Sequence, residues 1–260
     1  LDGTFIEAEI QDLTSRLFPG GALLVGKLLD STGILHVDPE LYVMADEPAL
    51  REFRDTFGGM LGTLELYPDE GDDGQLEFAG SNAIVGTEAF LVDLDSTPRN
   101  QLNKARPLKA RLFDFVINDP DRHADQWRWA RYEGGDGRYT WEPIPRDRDW
   151  AFVDAEGLLI WAARGFYPKL VPFDPTYPNR KGLTIGMLDL DRRLLSELEW
   201  NVWEEMIAEL QRDLTDDVID SSIEVLPEPW QNPSGERIAD VLKARRDALE
   251  TFARAYYELI

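Results

Sequence analysis

A chain of 260 residues that is 43% hydrophobic can bury a sizeable core, as one large unit or two small ones. Its net charge of −23, with no basic patch to offset it, argues against a nucleic-acid partner, because phosphate backbones are held by clustered Lys and Arg. The lack of cysteine excludes disulfides, thiol nucleophiles and cysteine-based zinc sites, and no apolar run approaches the roughly 20 residues of a membrane-spanning helix.

In chain order, Thr4 to Leu17 has the apolar stripe of an amphipathic helix, with Phe5, Ile6, Ile10, Leu13 and Leu17 on one side. Pro19-Gly20-Gly21 ends it, and a more apolar helix is expected over Ala22 to Leu29. Ile34 to Met44 alternates as strands do, with Pro39 interrupting the ladder, so His36 is read as structural. A short helix over Pro48 to Phe57 and a strand over Leu61 to Tyr67 follow. The acidic run Pro68 to Gly74 lacks the spacing of a calcium loop and reads as solvated turn. A helix over Glu88 to Asp95, capped by Thr87, leads to Ser96-Thr97-Pro98, the expected boundary between a smaller unit, 1–97, and a larger one, 98–260.

The chemistry gathers between Ala110 and Phe152. A largely buried helix over Asn103 to Ile117 delivers the turn Asn118-Asp119-Pro120-Asp121. Trp127 to Tyr132 then alternates as a strand, Gly134-Gly135-Asp136-Gly137 turns it, and Tyr139 to Ile144 returns antiparallel. That hairpin carries Asp147 and Asp149 back towards Asp121 and Gln126, while Trp127, Trp129, Trp141 and Trp150 are expected in the core. Oxygen ligands from two separate turns suit magnesium held against nucleotide phosphates, and a carboxylate suits the orientation of an attacking hydroxyl. In protein kinases an Asp is followed at the fifth position by a metal-binding Asn, and a second Asp arrives after a hairpin. Here Asp121 is followed at the fifth position by Gln126, and Asp147 follows the hairpin.

Asp121-Arg122-His123 with the amide of Gln126 resembles the Asp-Arg-His loop of atypical kinases: the HipA toxin kinases, the CotH spore-coat kinases and the phosphatidylinositol 3- and 4-kinases. Pro145 to Phe152, with its Asp-x-Asp pair before an aromatic and a small residue, is most similar to the CotH metal turn. The resemblance implies an α+β, protein-kinase-like two-lobed fold, with 1–97 a partial small lobe and 98–260 a helical large lobe. It implies Asp121 as base or substrate-orienting carboxylate, Gln126 and Asp147 as metal ligands, and Asp149 as a further carboxylate. It also implies Mg2+ or Mn2+, ATP or another nucleoside triphosphate, and an acceptor hydroxyl on a protein or small molecule.

The sequence departs from that family in two ways. Gln126 stands where Asn is usual, moving the carbonyl oxygen by roughly a bond length. No Gly-rich loop with a strand lysine precedes the first helix, and Lys27, Lys104 and Lys109 are poorly placed to serve a nucleotide. Glu9, with Glu7 as the alternative, is the expected partner of a strand lysine lying upstream of Leu1, so the chain is read as part of a longer polypeptide, with no secretory signal at its start. The alternatives are a silent pseudokinase acting as a binding scaffold, or a metal-dependent phosphoester hydrolase built on Asp121, Asp147 and Asp149. His123 is expected to be structural, and Arg146 and Arg148 to be surface charge pairs. The proline-rich segment Phe166 to Gly182, with Arg164, Lys169, Arg180 and Lys181 at hand, is a basic stretch that an acidic or phosphorylated ligand could approach. Helical patterns over Asp191 to Leu198, Trp200 to Leu214, Asp216 to Leu226 and Gly235 to Leu259 complete the chain.

Overall fold

The computed structural model describes residues 17–68, 78–155 and 158–260, and the fold is α+β. The expected helix from Thr4 and the acidic run up to Gly74 lie almost wholly outside the described residues. The first described helix, α1 (Gly21–Leu29), buries Leu24, Val25, Leu28 and Leu29. Strands β1 (Glu40–Val43) and β2 (Leu61–Leu64) pair antiparallel as a ribbon whose side chains are mostly exposed. The sequence spread strand over Ile34 to Met44, but Pro39 stops the ladder and the residues before it are irregular.

A four-stranded sheet holds the centre, in the order β3 (Ala83–Gly86), β5 (Trp127–Glu133), β6 (Tyr139–Pro145) and β4 (Asn100–Leu102). The β5–β6 hairpin forms as the alternation foretold, with Trp127 opposite Pro145 and Glu133 opposite Tyr139. Gly137, at φ +74°, closes its turn in a conformation a side chain would oppose. Helix α2 (Thr87–Ser96) lays Phe90 flat on Trp129, ring centroids 3.8 Å apart, with Trp141 edge-on at 5.5 Å. Trp127, Trp129 and Trp141 are core, as expected, whereas Trp150, past the hairpin on the second turn, is only half-buried. The expected boundary at 97–98 falls between α2 and β4, two parts of this one sheet layer.

Thr87 was expected to cap α2, but its hydroxyl works across the fold. It donates to the Ala124 carbonyl at 2.6 Å and accepts from Trp129 Nε1 at 3.1 Å. A residue that could have satisfied its own helix instead fixes the turn that carries Gln126.

Helix α3 (Ala105–Val116) is buried along nearly its whole length, which its apolar positions alone do not explain. Its buried charged residues, Lys109, Arg111 and Asp114, are each paired. Lys109 donates to Thr32 O (2.5 Å), Glu209 (2.6 Å) and Asp213 (2.7 Å), and Arg111 donates to Asp114 and Asp191. Behind α3 lie α4 (Leu188–Leu195), α5 (Trp200–Asp213), α6 (Asp216–Ile223) and α7 (Glu236–Tyr257). Thr215 caps α6 by accepting from Val218 N at 3.2 Å. The stripe Ile238, Leu242, Leu249, Phe252 and Tyr256 of α7 is buried. Arg245, also buried, donates to the carbonyls of Phe115, Val116 and Asp174, tying α7 to the end of α3.

The segment after Phe166 is held by one close approach. Asn179 Nδ2 donates to Pro168 O at 2.8 Å, and a Cβ on Gly182 would stand 2.2 Å from that oxygen and 2.5 Å from the Val171 side chain. Gly182→Ala is therefore expected to cost about 1–3 kcal/mol of stability, measured as a lower melting temperature. An unchanged temperature would mean that the segment is not packed this way.

Candidate active site

The turn after α3 and the turn after β6 meet because the hairpin ladder runs one residue past the last paired strand position. Arg146 N donates to Gln126 O at 2.9 Å. Arg122, wholly buried, does the rest. One of its guanidinium nitrogens donates to Arg146 O, and the other to Asp147 O at 2.9 Å and to Asp119. The middle residue of Asp-Arg-His is thus the tie between the two turns.

Three residues around these turns adopt positive φ: Asn118 (+56°), Asp147 (+58°) and Phe152 (+62°). For residues with a side chain this conformation costs of order 1–3 kcal/mol and persists only where neighbours hold it. Asn118 Nδ2 donates to Val153 O at 2.9 Å, Phe152 N to Ile117 O at 2.9 Å, and Arg122 holds Asp147. The chain is bent where the acidic side chains must be aimed.

Gln126 stands between the two carboxylates. Its Nε2 is 3.2 Å from Asp147 Oδ2 and 3.5 Å from Asp121 Oδ2, while its Oε1 faces His123 N at 3.4 Å. Asp149 lies beside Asp147 on the second turn, close enough for that carboxylate to push its own carboxyl up. Asp119, buried below, has one oxygen, Oδ1, that accepts no hydrogen bond among the described residues. Asp121, Gln126, Asp147 and Asp149 are therefore brought together, whereas Glu9 lies outside the described residues.

Beneath the acidic group is a buried lattice of charge. Asp114 accepts from Arg111 at 2.8 Å and from Arg148, and lies 3.5 Å from Arg122. Burial pushes the Asp114 carboxyl up, but Arg148, Arg122 and Arg111 outweigh it and hold it below the ordinary range. Arg148, expected at the surface, is buried because Asp114 is its partner. Arg146 reaches sideways to Glu65 at 3.1 Å and lies over the Tyr67 ring at 4.0 Å. His123 and Asp125 are more open, their side chains 40% and 96% exposed.

Burial pushes the Asp149 carboxyl up to about 7, aided by the Asp147 carboxylate beside it and by the charges of Asp119 and Asp121. The folded chain thus holds this proton more tightly than the unfolded chain does, so metal-free stability falls as pH rises from about 4 to about 7. Asp149→Asn removes that loss. In chelator at pH 8 it is expected to stabilise by on the order of 1 kcal/mol, a figure reduced because the carboxyl is open to water. The gain should vanish near pH 4, as melting curves at the two pH values would show.

Sequence reasoning named Lys169 only as part of a basic stretch. In the structure its Nζ donates to Asp121 Oδ1 at 2.6 Å. No sequence spacing links the two, but a lone lysine between prolines on an acidic chain was the available signal. A separate group, Asp30, His36 and Asp38, has ligand atoms within 4.8 Å of one another. His36 Nδ1 is 2.9 Å from Ile34 O, and Asp30 is already paired with Lys27 at 2.8 Å, in keeping with the structural role expected for His36.

No family model and no curated protein matches this chain. Among solved structures, it is similar to a chain of the Shewanella oneidensis MR-1 toxin–antitoxin complex of HipA, HipB and operator DNA, at 16% identity with a TM-score of 0.47. The match covers 92% of this chain and 57% of that one, so the chain spans little more than half the length of its structural neighbour. No helix among the described residues is long and apolar enough to cross a membrane.

Proposed function

We propose that this chain is a kinase-like phosphotransferase, moving the γ-phosphoryl group of a nucleoside triphosphate to a hydroxyl on a protein or small molecule. One observation carries the reading: Asp121 and Asp147, from turns on either side of a hairpin, converge on the amide of Gln126. The donor set of carboxylates and one amide oxygen fits magnesium or manganese, which prefer hard oxygen ligands. Asp147 and Gln126 would hold the ion, with Asp149 as a further carboxylate, once the Gln126 amide turns to present Oε1 in place of Nε2. The ion would neutralise phosphate charge and orient the transferred group. Asp121 would orient the acceptor hydroxyl and take its proton. On this reading 1–97 belongs to the small lobe and 98–260 to the large lobe, and the central sheet straddles the division.

The test is a thermal-shift titration with Mg·ATP. A ligand at a hundred times its Kd stabilises by about 2.7 kcal/mol, which in a chain this size raises the melting temperature by roughly 5–10 °C. Asp147→Asn should abolish most of that rise; a rise of unchanged size in the variant would remove the assignment of the second turn.

A second reading, a silent pseudokinase that binds nucleotide as a scaffold, is favoured by the same Gln126. Its amide nitrogen already faces both carboxylates, where a metal would want an oxygen. Magnesium-dependent binding without any transfer of labelled phosphate would select it. Cleavage of a phosphoester with no nucleotide would select the metal-dependent hydrolase instead.

A further inference from the structure

The six lysines of the chain have distinct fates. Lys27 pairs with Asp30, Lys104 with Glu197, and Lys243 with Asp220. Lys109 is buried against Glu209 and Asp213, and Lys181 lines an apolar groove with Phe252 and Leu259. Lys169 is the one placed at the acidic site, with its Nζ 2.6 Å from Asp121 and both side chains about three-quarters buried.

Its placement is built into the fold. The Pro168 carbonyl just before it is held by Asn179, and the glycine at 182 makes room for that carbonyl. Gly186 does the same on the other side. A Cβ there would lie 2.4 Å from Arg122 O and 3.7 Å from Lys169 Cε, so its absence lets this segment sit against the Asp121 turn.

We infer that Lys169 is the cation that binds the terminal phosphates of the nucleotide, a role for which no other lysine of this chain is placed. The inference rests on the phosphotransferase reading and deepens it. An ammonium has three donors, so one can stay on Asp121 while the others reach phosphate oxygens beside it. Lys169 would thereby hold the phosphoryl group next to the carboxylate that orients the acceptor. In the transfer, the bond from the γ-phosphorus to the β,γ-bridging oxygen breaks, and the diphosphate leaves with the electron pair. The acceptor oxygen forms the new bond and its proton goes to Asp121. Lys169 keeps its own proton and acts by charge alone.

The experiment is calorimetric titration of Mg·ATP, Mg·ADP and Mg·AMP into the parent, Lys169→Met, Lys169→Arg and Asp147→Asn. Loss of hydrogen bonds between charged groups predicts that Lys169→Met binds Mg·ATP about tenfold or more weakly, with Mg·AMP unchanged and Lys169→Arg recovering most of the loss. Equal weakening of all three nucleotides would make Lys169 a purely structural partner of Asp121 and overturn the inference. So would Mg·ATP binding by Lys169→Met at parental strength while Asp147→Asn fails to bind, a result that leaves the site itself standing. A parent that binds none of the three would overturn the phosphotransferase reading, and this inference with it. Should Lys169→Met not fold, Lys169→Arg and Lys169→Gln carry the same comparison.

Discussion

Replacing Asp121 with Asn is expected to lower phosphoryl transfer from a labelled nucleoside triphosphate by about 10²–10⁴-fold, the range typical of losing a positioned acid or base. The carboxylate has one oxygen on Lys169 and the other 3.5 Å from Gln126. An amide there keeps the shape but cannot take a proton. Because the Asp121–Lys169 pair keeps about a quarter of each side chain exposed and an amide at 121 can still accept from Lys169, the folding cost should be modest, about 1 kcal/mol. The variant would then melt near the parental temperature and still bind Mg·ATP, so the loss would fall on turnover. Transfer at the parental rate would show that Asp121 is not the acceptor's carboxylate.

The largest effect on stability is expected at Arg122. It is wholly buried, and its removal in Arg122→Ala takes the donor from Asp119 and from the carbonyls of Arg146 and Asp147. Burial already raises the Asp119 carboxyl against the opposing pull of Arg122 and Arg148, so this group would be left worse placed. Breaking a buried pair by deleting one partner costs roughly 3–5 kcal/mol, which for a chain of this length is roughly 6–20 °C of melting temperature. Arg122→Lys retains the charge but not the planar fork, and should recover only part of the loss. A change below about 1 kcal/mol in Arg122→Ala would mean that the two turns are joined by other means.

How much of this was legible in the chain follows from which forces are local. The β5–β6 hairpin was readable because alternation and a glycine turn are written in adjacent residues, and with it came the approach of Asp147 to Gln126. Helices α1, α3, α5 and α7 were readable from their apolar spacing. Strands β3 and β4 were not, since at three or four residues they owe their form to partners far along the chain. The charge lattice of Arg111, Asp114, Arg122, Arg148 and Asp191 was invisible for the same reason. A buried ion pair looks like surface charge until its partner is placed, which is why Arg148 was expected outside. Lys169 belongs with these: its meeting with Asp121 is made by Gly182 and Gly186, whose missing side chains signal close packing only in three dimensions.

Whether the two acidic turns share one divalent ion would be tested directly by crystals grown with Mn2+ and a non-hydrolysable ATP analogue, through anomalous scattering. The expected result is a peak within coordinating distance of the Asp147 carboxylate and Gln126 Oε1, with the terminal phosphates beside Lys169. A peak found at Asp30, His36 and Asp38 instead, with Gln126 still donating to both carboxylates, would contradict it.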